Sequence, residues 1–277
     1  MIQLAPAKIN LRLEIIGRRP DGYHLLQSVM VPISLYDELT FSPAATGVQF
    51  TCSDPGLPTG DDNLVVRAAK AILSAASCSR GVKIHLDKNI PSAAGLGGGS
   101  SDAATTLMSV RDLFSLAISD ERLHDLAAGL GADVPFFLYR SACLVEGIGE
   151  KVSKYTVASG LPVALIKPAE GLSTPRVYQA LNWPLTHHRK AHNLPASLGD
   201  LHTVCAWLRN DLEAPAEALL PRIADGKKLL RDQGATGVQM SGSGPTIFGI
   251  FNRQEEAVQA CDDAKRQGWW AFACSTR

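Results

Sequence analysis

From Lys8 to Ile15 the chain alternates, with Ile9, Leu11, Leu13 and Ile15 apolar and Lys8, Asn10, Arg12 and Glu14 polar. A period of two predicts a half-buried strand and puts Lys8 and Asn10 on one face. Asp21-Gly22 supplies a turn, Tyr23 and His24 follow at its exit, and a second extended run passes through Val29, Val31, Ile33 and Leu35, which completes a hairpin. The period then changes. Leu64, Ala68, Ala71, Ile72 and Ala75 recur at helical spacing and predict a helix from about Asn63 to Ala76. Val82, Ile84 and Leu86 alternate with Lys83, His85 and Asp87 in a strand that stops before Pro91. A helix is expected from near Ser101, with Ala104, Leu107 and Leu113 on its inner face. Another runs from Asp120 to about Leu130 and ends at Gly129 and Gly131, with Asp133 just beyond. A short strand around Leu144 and Val145 precedes a turn at Gly147 and Gly149.

The second half reads as strand (Leu161 to Lys167), helix (Pro175 to Leu181), a His- and Pro-rich stretch, and helix (about Glu217 to Gln233). It closes with strand (Val238 to Met240), glycine loop, strand (Thr246 to Phe251), helix (Gln254 to Gln267) and strand (Trp269 to Cys274). That order fits a split β-α-β arrangement of the ferredoxin-like type. A boundary near Tyr155 to Gly160 gives an N-terminal domain of residues 1–157 and a C-terminal domain of residues 158–277, and a chain of 277 residues has room for both cores.

Charge narrows the partners. Lys plus Arg and Asp plus Glu are equal at 27 each, so no overall field draws the protein to nucleic acid or an anionic membrane, and any phosphate recognition must be local. No apolar run approaches the roughly 18 residues that cross a bilayer, and Met1-Ile2-Gln3-Leu4-Ala5-Pro6 does not read as a signal peptide, so a cytoplasmic location is expected. Cys52, Cys78, Cys143, Cys205, Cys261 and Cys274 are scattered singly and read as reduced, mostly buried thiols. His187, His188 and His192 read as a solvated loop, because no acidic or cysteine ligand accompanies them. No resident metal site is expected.

The decisive segment lies between strand and helix: Pro91-Ser92-Ala93-Ala94-Gly95-Leu96-Gly97-Gly98-Gly99-Ser100-Ser101. Its four glycines remove the Cβ atoms that would keep a backbone from an anion, and they allow φ > 0, so several N–H groups can converge on one point. The helix that follows adds unpaired N–H groups and the positive end of its dipole, while Ser100 and Ser101 add hydroxyls. The segment therefore reads as a phosphate cradle. The chain has neither the Gly-x-x-x-x-Gly-Lys-[Ser/Thr] of P-loop proteins nor a Gly-x-Gly-x-x-Gly fingerprint.

What remains resembles the GHMP kinases, whose nucleotide loop has the form Pro-x-x-x-Gly-Leu-Gly-[Gly/Ser]-[Gly/Ser]-[Ser/Ala]; Pro91 to Ser100 match it throughout. Met240-Ser241-Gly242-Ser243-Gly244-Pro245 is similar to the family's C-terminal glycine loop, which closes over substrate and nucleotide phosphates. The resemblance implies an α+β, two-domain fold, with an N-terminal ribosomal-protein-S5-domain-2-like domain for nucleotide binding and catalysis, a C-terminal ferredoxin-like GHMP domain, and a deep cleft between them.

Three further motifs, Ala5-Pro6-Ala7-Lys8-Ile9-Asn10-Leu11, Arg18-Arg19-Pro20-Asp21-Gly22-Tyr23-His24 and Gly131-Ala132-Asp133-Val134-Pro135-Phe136-Phe137, resemble the branch of that superfamily that phosphorylates the 2-hydroxyl of a cytidine-diphosphate-linked alcohol with ATP and Mg²⁺. The alternative is a homoserine or mevalonate type of member. A non-catalytic sensor is disfavoured by Lys8, Asp133 and the full loop. The resemblance implies Asp133 as the base that takes the hydroxyl proton and Lys8 as its charge partner. It implies Asn10, Tyr23, His24, Tyr178 and Gly242 on the substrate side, and Asn63 and Lys88 beside the adenine. Mg²⁺ is expected to arrive with ATP. The partners expected are the small-molecule substrate and ATP, not nucleic acid or membrane, with the chain a monomer or weak homodimer.

Overall fold

The computed structural model describes residues 1–181 and 193–277. The histidines at 187, 188 and 192 lie outside the described residues. Two long strands open the chain, β1 (Ile2–Arg18) and β2 (His24–Ala44), followed by β3 (Val48–Cys52), α1 (Leu64–Ala75), β4 (Gly81–Asp87), α2 (Gly98–Phe114), α3 (Asp120–Leu130) and α4 (Val134–Phe137). Next come β5 (Cys143–Gly147), β6 (Lys151–Lys154), β7 (Thr156–Val157), β8 (Pro162–Lys167), α5 (Thr174–Ala180), β9 (Ser197–Leu198), α6 (Leu201–Ala206) and β10 (Arg209–Asn210). The last elements are α7 (Glu213–Leu219), α8 (Arg222–Asp232), β11 (Gly237–Met240), β12 (Ile247–Ile250), α9 (Gln254–Arg266) and β13 (Trp270–Ser275).

The chain divides into two compact units, and both long strands contribute to each. The first unit is Met1–Ala7, Leu35–Ser92 and Gly97–Arg140. Here the second half of β2 pairs antiparallel with β4, from Glu38 opposite Asp87 to Ala44 opposite Gly81, and β3 runs parallel to β4. Helix α1 packs on α2 and α3 through Val65, Ala68, Ala69 and Ile72, which its 3.6-residue period gathers on one face. Its N-cap is Asn63, whose side chain accepts from the Val65 amide.

Helix α2 begins at Gly98 and not near Ser101. The Ser101 amide already donates to the Gly97 carbonyl at 2.9 Å, and Gly97 stands just outside the helix at φ 71°. Glycines carry no side chain for a periodicity to register, so the first turn is invisible in the pattern. On the inner face Ala104 and Leu107 are buried as expected, but Val110 and Phe114 take the place given to Leu113.

The second unit is Lys8–Ser34, Ala93–Leu96 and Ser141–Arg277. In it β2 pairs antiparallel with β5, β5 with β6, and the short β10 lies parallel to β1 with Arg12 opposite Arg209 and Leu13 opposite Asn210. A four-stranded antiparallel sheet has the order β11-β12-β8-β13. Numbered by chain order, its strands lie 2-3-1-4, with α8 and α9 packed on it, which is the ferredoxin-like arrangement expected. The single helix expected from Glu217 to Gln233 is instead α7 and α8, broken at Leu220 and Pro221, because proline has no N–H to continue the ladder and suits a helix start.

Strand β1 is not half-buried. Lys8, Asn10, Arg12 and Glu14 are 3%, 0%, 7% and 1% exposed, as enclosed as the apolar residues between them. Arg12 donates to Glu14 at 2.9 Å, Arg209 pairs with the same Glu14 oxygen at 3.2 Å, and the Arg12 guanidinium lies 4.9 Å from the centre of the Trp207 ring. Alternation announces a sheet; it does not say what covers the polar side. Among the described residues no helix is long and apolar enough to cross a membrane.

Candidate active site

Within the second unit the polar face of β1 meets both glycine loops. The Lys8 ammonium donates to Asn10 Oδ1 at 2.6 Å, Asn10 Nδ2 to Ser28 Oγ at 2.9 Å, and Ser28 Oγ to the Arg12 carbonyl at 2.6 Å. The Lys8 backbone amide donates to the Leu96 carbonyl at 2.9 Å. Across from it, Ser241 Oγ donates to the Gly95 carbonyl at 3.0 Å. The approach is backbone on backbone. A Cβ at Gly95, where φ is 76°, would lie 2.3 Å from the Ser241 carbonyl oxygen, so only glycine fits. Gly242, at φ 57°, comes closest to Gly95 O, Lys8 Nζ and Asn10 Oδ1, at 3.1, 3.2 and 3.4 Å from where its Cβ would stand. Lys8, Asn10, Gly95 and Gly242, all singled out from the sequence, are thus neighbours.

Two residues not found from the sequence hold the C-terminal loop. Asn210 Nδ2 donates to the carbonyls of Met240 at 2.9 Å and Gly242 at 2.7 Å, and its Oδ1 accepts from the Leu212 amide. Glu213 Oε2 accepts from the Met240 amide at 2.8 Å. A two-residue strand carries no periodicity, so only the placement against β1 reveals Asn210. Thr174 and Ser243 share a hydroxyl hydrogen bond of 2.7 Å.

On the aromatic side, His24 and Tyr178 stand with ring centres 5.2 Å apart and planes tilted by 34°. Burial, with Arg18 nearby, holds the His24 imidazole below its ordinary value, favouring the neutral ring. Tyr23, on the turn before β2, is 62% exposed.

In the first unit, Gly97 to Ser101 form the cap and first turn of α2. Gly97 offers no side-chain cap, so the opening amides of this 17-residue helix are left for other acceptors. Ser92, Ala93 and Gly99 are exposed, Pro91, Gly95, Gly97 and Ser100 half-buried, and Ala94, Leu96, Gly98 and Ser101 buried. Ser101 Oγ is buried with no hydrogen-bond partner among the described residues. Lys88 is a member of a buried charge cluster. Its ammonium bonds Asp37 and lies 3.3 Å from Asp102 Oδ2. Burial would lower the Lys88 pKa, but the two carboxylates outweigh it and raise it; burial also holds Asp102 well above the usual carboxylate range, with Lys88 opposing. Asn63 uses its side chain on Val65 N and the Pro58 carbonyl, at 2.9 and 2.8 Å. Asp133 is the N-cap residue of α4 but makes no capping bond with its side chain. Val134, Pro135, Phe136 and Phe137 behind it are buried, with the two phenylalanine rings edge to face at 4.9 Å.

The GHMP kinases N terminal domain matches residues 63–141 and the GHMP kinases C terminal domain residues 191–268. A 4-diphosphocytidyl-2-C-methyl-D-erythritol kinase from Citrifermentans bemidjiense is 43% identical over 275 residues, covering 99% of this chain and 98% of its own length. One from Geobacter metallireducens is 44% identical over 96% of this chain and 94% of its own. A crystal structure of 4-(cytidine 5'-diphospho)-2C-methyl-D-erythritol kinase superposes with a TM-score of 0.86 at 37% identity, over 100% of this chain and 99% of that one.

Proposed function

This chain belongs to the GHMP kinases, in the family of the 4-diphosphocytidyl-2-C-methyl-D-erythritol kinases, and on that footing we propose that it transfers the γ-phosphoryl group of ATP to the 2-hydroxyl of 4-diphosphocytidyl-2-C-methyl-D-erythritol, a step toward isoprenoid precursors. The observation that carries the reading is the packing of Gly95 on the Ser241 to Gly244 loop beside Lys8 and Asn10. Bare backbone, a buried ammonium and a hydroxyl converge there, which suits developing negative charge on transferring oxygens.

Residues 1–157 supply the nucleotide-binding and catalytic groups and residues 158–277 the ferredoxin-like part. Asp133 takes the hydroxyl proton and Lys8 balances the charge. An alcohol is a poor nucleophile near neutral pH, and a carboxylate placed on it contributes about 10² to 10⁴ in rate. Gly95 to Ser101 bind the nucleotide phosphates, and Gly242 orients the transferring group. The tilted His24 and Tyr178 rings, with Tyr23, suit a flat cytosine. Mg²⁺ would arrive with ATP and be held mainly by nucleotide phosphate oxygens, the hard oxygen donors it prefers. When bound, it neutralises charge on those oxygens.

The test is transfer of labelled γ-phosphate from ATP to the cytidylated alcohol, with homoserine and mevalonate as rivals. Transfer to the cytidylated alcohol alone is expected; preferential labelling of either rival would replace the assignment.

A further inference from the structure

Asp37 is an acid in an apolar register. Along β2, Ile33, Leu35, Leu39 and Phe41 are buried at alternate positions, and Asp37 occupies the inward site between Leu35 and Leu39 with no exposure at all. One carboxyl oxygen accepts from the backbone amides of Asn89 and Ile90 at 2.6 and 2.8 Å, and the other binds the Lys88 ammonium. Asn89 Nδ2 adds a bond to the Tyr36 carbonyl at 3.1 Å. These bonds fix the backbone immediately before Pro91, where the glycine-rich segment begins.

The same ammonium reaches the other end. Lys88 Nζ lies 3.3 Å from Asp102 Oδ2, in the opening turns of α2, and 2.8 Å from where a Cβ on Gly98 would stand. Asp102 Oδ1 is buried without a hydrogen-bond partner among the described residues, while Oδ2 faces the Lys88 ammonium and the Asp37 carboxyl lies close enough to interact with Asp102 as well. Two buried carboxylates around one ammonium are a poor way to gain stability, since apolar residues of like volume often serve as well. They are a good way to fix position.

We propose that Asp37 is a positioning residue for the nucleotide: by holding the 88–90 backbone directly and Asp102 through Lys88, it ties the backbone before Pro91 to the opening turns of α2 and sets the aim of the amides of the segment Gly97 to Ser101. This rests on the nucleotide reading of that segment. Lys88 then acts on ATP from within the fold, through the loop's geometry. The idea predicts a split between the two substrates, which a cluster serving the core alone would not produce.

The experiment compares wild type with Asp37→Asn, measuring calorimetric affinity for a non-hydrolysable ATP analogue and the KM for the cytidylated alcohol, with circular dichroism as the check on folding. A folded Asp37→Asn should bind the analogue at least tenfold more weakly and change the alcohol KM less than twofold. Unchanged analogue affinity, or equal losses on both substrates, would overturn the proposal. If Asp37→Asn does not fold, Asp102→Asn decides, because it leaves the Asp37 bonds to Asn89 and Ile90 in place: analogue affinity should fall threefold or more, and an unchanged value overturns the clamp. Wild type that failed to bind the analogue would remove the nucleotide reading beneath it, whereas wild-type binding with unaltered variants would remove the clamp alone.

Discussion

The Lys8 ammonium donates to the Asn10 side-chain carbonyl at 2.6 Å, two positions along one face of β1, with both side chains enclosed. A hydrogen bond to a charged group is worth about 1.5–3 kcal/mol, and a buried ammonium that loses an acceptor keeps its desolvation cost. Asn10→Ala should therefore lower unfolding free energy in urea by that amount and reduce turnover about tenfold or more. Full stability with full turnover would show that Asn10 does not support Lys8.

Asp133→Asn should leave the fold and ATP binding intact and raise the barrier by at least about 2.7 kcal/mol, a hundredfold in turnover. Pre-steady-state transfer with labelled ATP separates this from slow product release. Unchanged turnover would remove Asp133 from the mechanism.

Two glycines of one loop should respond in opposite directions. Gly95→Ala puts a Cβ 2.3 Å from the Ser241 carbonyl oxygen at a φ of 76°, and it should destabilise the unliganded protein by about 1–3 kcal/mol. Gly99 sits in the first turn of α2, with Leu64 Cδ1 at 3.8 Å the nearest atom to an added Cβ, and Gly99→Ala should stabilise by about 0.4–1 kcal/mol. Thermal melts without nucleotide decide both.

His24 is held below its ordinary value of 6.5 by burial and then by Arg18. The folded chain thus takes up this proton at a lower pH than the unfolded chain. Nothing is contributed above about pH 6.5, and stability is lost as pH falls through and below it. The His24 ring resonance should titrate below 6.5 by NMR, and His24→Phe should flatten the acid limb of the stability curve. Tyr23→Ala and Tyr178→Ala should each raise the KM for the cytidylated alcohol and spare that for ATP, at about 1–3 kcal/mol per stacked ring. Equal effects on both constants would make the rings structural.

All six cysteines are free, and burial pushes the thiols of Cys143, Cys205 and Cys261 up to about 11. Those three should resist a thiol reagent at pH 8 in the native protein and react once urea exposes them. Rapid native modification of Cys261 would contradict its burial.

How far the sequence carries depends on what each residue announces. The glycine run from Gly95 and the Ser241 to Gly244 run mark two special backbone segments in the sequence itself, and at Gly95 only glycine is tolerated. The ferredoxin-like half was legible in its alternation of periods. Alternation along β1 predicts half-burial, yet its polar face is enclosed too, since Lys8, Asn10, Arg12 and Glu14 pair with one another and with Ser28 and Arg209 from distant segments. The helix across Leu220 and Pro221 was overextended although proline was in plain view. Asn210 and Glu213 left no trace, because hydrogen bonds to the carbonyl or amide of a loop about thirty residues away follow from tertiary placement alone.

The grip of Asn210 on Met240 and Gly242 bears on how the protein comes into being. Residues 8, 95, 210 and 242 have to find one another across most of the chain, and contacts so distant in sequence carry the largest closure entropy and form late. A nascent chain with its helices already wound would still be catalytically silent. On gentle denaturation the reverse holds, and enzymatic competence should disappear before the helical signal begins to fade.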